Sequence, residues 1–118
     1  MNDDWRIFEP PDQYELARRA DDLLHRVNLV RAHGWDQYRQ LWSCGEVLGV
    51  ALLLGNDSEL QGSGETIVSA LERWAFDLWG IVVGQEDSDA ELPRTRAWFD
   101  SLRAAIGVPD IQQPPVAR

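Results

Sequence analysis

Apolar residues recur at helical spacing along most of the chain, and no run alternates with the two-residue rhythm of a half-buried strand. The first helix is predicted from Asp12 to His33. Pro10 and Pro11 precede it, and Asp12 with Glu15 makes a capping box. Leu16, Ala20, Leu23, Val27 and Val30 share one stripe, widened by Leu24, and Gly34 supplies a left-handed C-terminal cap. A second helix follows from Asp36 to Leu54, and so short a connection predicts an antiparallel hairpin. The loop from Gly55 to Gly64 is rich in Gly, Ser, Asn and Asp. A third helix then spans Glu65 to Val83, with Ile67, Leu71, Trp74, Leu78 and Ile81 as its core stripe, flanked by Ala75 and Val82. An acidic loop, Gln85 to Asp89, leads into a fourth helix capped by Ser88 and Glu91 and ending near Ile106. Pro93 is tolerated there because first-turn amides lack an intrahelical partner. Its apolar face is Trp98, Phe99, Leu102, Ala105 and Ile106.

At 1.5 Å rise per residue these helices are each about 27 to 33 Å long. Matched lengths predict an all-α fold, an antiparallel four-helix bundle with an extended N-terminal arm and an irregular, Pro-containing C-terminal tail. One domain is expected over residues 1–118, with the arm at 1–11, the bundle at 12–106 and the tail at 107–118.

Two features depart from a plain bundle. From Val47 to Leu54 the second helix is apolar all round, so it is either the central helix or is covered by a second subunit. Gly45 and Gly49, at i and i+4 within it, each cost about 1 kcal/mol against Ala, which predicts close approach of another backbone. The third helix carries a surplus line, Phe76, Trp79 and Val83, off its core stripe. Either the arm or tail covers that line, or a partner does, because aromatic residues are enriched at interfaces. Trp5 on the arm and Trp35 at the hairpin turn join Phe76, Trp79 and Val83 as candidate partner-binding residues.

Composition narrows the choice. The 118 residues carry a formal charge of −9 and six tryptophans, and all eleven basic residues are arginine. An acidic chain argues against direct nucleic-acid binding, which needs clustered cations. Neither a signal peptide nor an apolar run long enough for a bilayer is present, and Cys44 is the sole cysteine, so a cytoplasmic protein without membrane attachment is expected.

Candidate chemistry is sparse. His25 and His33, the only histidines, lack converging ligands, so no metal site is expected; His25 falls on the solvent side and His33 favours the helix C-terminus. Cys44, amid Leu41, Trp42 and Val47, is expected to be buried and inert. Glu46 shares a side of the second helix with Trp42, Val50 and Leu53, where a carboxylate must be paired or protonated. Arg31 and Arg73 are its expected partners; alternatively Trp42, Glu46 and Trp74 line a ligand pocket. Gly62-Ser63-Gly64 lacks the lysine of a phosphate-binding loop, and no cofactor motif is present.

The sequence thus favours a non-catalytic, acidic helical module for protein–protein interaction, of adaptor, inhibitor or immunity type, with self-association into a homodimer within the same reading. The partner is expected to be a protein, basic if it answers the charge. The alternative is a small-molecule binder or enzyme with a Trp-lined pocket around Glu46. A DNA mimic ranks below both, since arginines interrupt the acids.

Overall fold

A computed structural model describes residues 12–111. These form five helices, α1 (Gln13–His33), α2 (Cys44–Leu54), α3 (Asp57–Gly62), α4 (Ile67–Asp89) and α5 (Pro93–Ala105), with no strand among the described residues. The all-helical class read from the sequence is present, while the element boundaries differ in ways that determine which residues face outward.

α1 follows its pattern. The Asp12 carboxylate accepts the Glu15 amide at 2.9 Å, and Leu23, Val27 and Val30 are buried. Gly34 has φ 80° but ψ −178°, so the chain leaves in an extended direction open to glycine and not in a left-handed cap. Residues 35–42 are turns, not the first half of a helix. The helix starts later because Ser43 and Glu46 form a reciprocal capping box, with Ser43 Oγ accepting the Glu46 amide at 3.2 Å and Glu46 accepting the Ser43 amide at 2.9 Å.

This late start changes the packing of the first pair. Glu46, near the beginning of α2, pairs with Arg26, and Gly49 faces Leu23, both midway along α1. Asn56, just past the end of α2, accepts from Trp35, just past the end of α1. The connection from α1 to α2 is therefore residues 34–43, longer than the short link expected between them. Val47 to Leu53 are all buried, and α1, α3, α4 and α5 all pack on α2. The fully apolar helix is the central one, covered within the chain. Gly49 explains its own choice: a Cβ there would stand 2.7 Å from the Trp74 indole and 3.0 Å from Leu23. Side chains, rather than the expected backbone, make that close approach.

α3 lies inside the stretch expected to be loop, with Leu60 buried. α4 opens on a capping box between Thr66 and Ser69, and buries Leu71, Trp74, Ala75 and Leu78. At Gly80 (φ 84°, ψ 178°) the helix bends sharply back on itself. The Ser88 hydroxyl donates to Glu72 at 3.1 Å, although sixteen residues of straight helix span about 24 Å. The two arms of the bend touch where a Cβ on Gly84 would meet Phe76 Cα at 2.9 Å, so glycine alone fits there. The acidic loop expected at Gln85 to Asp89 is the helical return arm.

α5 begins at Pro93 without the Ser88–Glu91 capping box. Glu91 and Leu92 both take positive φ (72° and 67°), a conformation costing about 1–2 kcal/mol per residue. Buried Asp87 compensates by capping α5 from the preceding helix. Its carboxylate accepts the Arg94 amide at 2.8 Å, the Thr95 amide at 3.0 Å and the Thr95 hydroxyl at 2.6 Å. Further on, Arg103 is buried and donates to Leu52 O at 2.9 Å and to Pro109 O at 2.9 Å. Leu52 lies in the last turn of α2, where carbonyls lack helical partners and the dipole favours a cation. Burial lowers the pKa of this guanidinium. Asp100 accepts the Ile111 amide at 2.7 Å, so the tail is held on α5 as far as buried Ile111.

Candidate functional site

The bend at Gly80 decides which apolar residues face water. Before it the core stripe holds: Leu71, Trp74 and Leu78 are buried as the periodicity expects. After it the stripe is broken, because one residue with φ 84° resets the helical phase. Ile81 and Val82, read from the sequence as core, are 59% and 60% exposed, and Phe76, on the arm before the bend, is 39% exposed. Gln85, Glu86 and Asp89 continue the exposed surface of the return arm at helical spacing. The bend thus presents apolar side chains at one end and acids at the other.

The surplus line divides along the same boundary. Trp79 is half-buried against the core, and its indole donates to Thr95 at 3.0 Å, tying α4 to the start of α5. Val83, just past the bend, is half-buried. Phe76 keeps an outward surface. Of the sequence-derived candidates here, Phe76 packs against Gly84 and stays partly exposed, whereas Ile81 and Val82 are added by the structure. The available signal was Gly80, a helix-breaking residue in mid-pattern.

Trp35 and Trp42 belong to an internal aromatic group. Trp35 donates to Asn56 at 2.9 Å and meets Trp42 edge-on at 6.5 Å. Trp42 stacks on buried Tyr38 at 4.6 Å, and the Arg26 guanidinium lies 4.9 Å over its ring. Trp5, with the rest of the arm at 1–11, lies outside the described residues, as do residues 112–118.

A cleft of about 400 Å³ opens between α1, the start of α2 and α4, lined by Arg19, Asp22, Ser43, Gly45, Glu46, Arg73, Trp74 and Asp77. It unites Glu46 and Trp74, while Trp42 lines a different hollow beside Cys44. Glu46 pairs with Arg26 at 2.9 Å, correcting the expected partners; Arg31 donates to Ile106 O and Arg73 to Glu65. The remaining charges of the cleft are also matched, Arg19 with Asp77 and Asp22 with Arg26. Trp74 spends its indole N–H on Gly45 O at 3.0 Å. The cleft is held together by its own ion pairs.

Cys44 is exposed, not buried, because α2 starts at this residue and leaves it on the outer turn. His25 and His33 are exposed. Among the described residues no three His, Cys, Asp or Glu side chains converge as metal ligands, and no helix is long and apolar enough to cross a membrane. The chain matches no protein-family model, no curated protein and no solved structure.

Proposed function

We propose that the protein is a non-catalytic interaction module and that the outer surface of the α4 bend, Ile81 and Val82, is where a partner protein binds. The observation that carries this reading is the exposure of two aliphatic side chains at the tip of a bend held in place by buried contacts on its inner side. Adjacent exposed apolar residues on a rigid support mark interaction sites, and their desolvation supplies affinity. Glu86 and Asp89 follow Val82 on the exposed return arm, so the fitting partner offers apolar side chains next to basic ones. A second copy of the chain is a further partner under the same reading. The scaffold is a bundle centred on α2, and its single cysteine suits a cytoplasmic setting.

The double variant Ile81→Ser/Val82→Ser tests the proposal. Exposed positions tolerate such changes within about 0.5 kcal/mol each, so the melting temperature should stay within about 4 °C of the parent. Proteins retained by the parent chain as bait should be lost by the variant. A large fall in melting temperature shows that the pair is core, and an unchanged retained set shows that the bend is not the binding surface.

A further inference from the structure

We infer that the chain's own N-terminal arm, through Trp5, Ile7 and Phe8, seats on the α4 bend and occupies the place that a partner takes; this rests on the bend being the binding surface. The first support is position. The arm joins α1 at Asp12, and the Arg19–Asp77 ion pair sets α1 against α4. From Arg19 back to Asp12 is about 10 Å of helix, and from Asp77 on to Ile81 about 6 Å. Leu23 and Trp74 both pack at Gly49, so the two helices run in opposite directions past one another. The start of α1 and the bend of α4 therefore lie at the same end of the molecule.

The second support is reach. Phe8 is four residues from Asp12 and Trp5 is seven, so they extend to about 13 and 23 Å from the helix start. The third is chemistry. Of the two segments outside the described residues, 1–11 holds three large apolar side chains in four positions, while 112–118 holds a single valine. Arg6 sits within the apolar trio, and the acids Asp3, Asp4 and Glu9 lie outside it. This is the apolar-plus-cation pattern that the bend selects, with Glu86 one turn from Val82 to answer Arg6. A short tether gives the arm an effective concentration on the order of mM, so an incoming partner must displace it. Loss of the arm's apolar side chains then tightens partner binding.

The test uses the full chain without any partner, so its outcome is separate from that of partner capture. Cys44→Ser removes the native thiol, and Asn2→Cys carries a nitroxide three residues beyond Trp5. The methyl signals of Ile81 and Val82 should broaden while those of Val68, at the far end of α4, stay sharp. Adding Trp5→Ser and Phe8→Ser to the labelled chain should restore the two signals, with the helical circular dichroism unchanged. Broadening no greater than at Val68, or broadening that persists in the Ser variant, overturns the inference. Broadening found only between chains, in a mixture of spin-labelled and isotope-labelled molecules, overturns it in favour of a second copy.

Discussion

At Gly49 the indole of Trp74 fills the space a side chain would need, and Trp74 is itself fixed by Trp98 at 6.0 Å, Phe99 at 5.6 Å and a hydrogen bond to Gly45. A rigid ring held on three sides cannot retreat as a flexible chain end can. Gly49→Ala gains about 1 kcal/mol of helix propensity and is nevertheless expected to destabilise by about 1–3 kcal/mol through overpacking. Thermal unfolding decides the sign: a raised melting temperature would show that Trp74 is free to shift. The arginines work by the same logic of fixed geometry. Arg19, Arg26, Arg39 and Arg103 each bridge one element to another, using the planar fork that lysine lacks. Hydrogen bonds from Arg39 to Glu59 and then to Asp36 raise its pKa and secure the 35–42 turns to α3.

The elements were legible wherever a long apolar stripe met a clear boundary. α1 kept its start at Asp12, its buried stripe and its end at Gly34, and the apolar run of α2 was identified as surrounded. What was missed lay in short signals inside those patterns. Ser43 and Glu46 have the spacing of a capping box, yet the apolar rhythm carried the predicted helix through them from Asp36. Asp87 caps α5 from eight residues away, a contact that exists only once α4 has turned back. Gly80 was the costliest omission, because it moves Ile81 and Val82 from the core to the surface and so relocates the candidate site. Its φ and ψ fall in a region essentially reserved for glycine, costing other residues about 1–3 kcal/mol. Gly80→Ala is therefore expected to lower the melting temperature by about 4–12 °C, despite the helix propensity of alanine. An unchanged or higher value would mean that α4 runs straight through this position.

For the whole molecule, the charge of −9 is unevenly used. Arg19 and Arg26 are matched with acids between α1, α2 and α4, and Arg103 is spent on backbone carbonyls inside the fold. Exposed acids remain on the return arm of α4, at Glu86 and Asp89, beside the apolar tip. Under the proposed reading, such a surface would attract a basic partner over distance and hold it by apolar contact once seated. The buried inner side of the bend, with Gly84 against Phe76 and Ser88 on Glu72, supplies the rigidity that keeps the entropy cost of binding low. A photo-crosslinking residue in place of Val82, irradiated in the native host, tests this most directly. A covalent adduct with another polypeptide at position 82, absent when the same residue replaces Val68, is the expected result. No adduct with another polypeptide at position 82, or the same adducts from both positions, would contradict it.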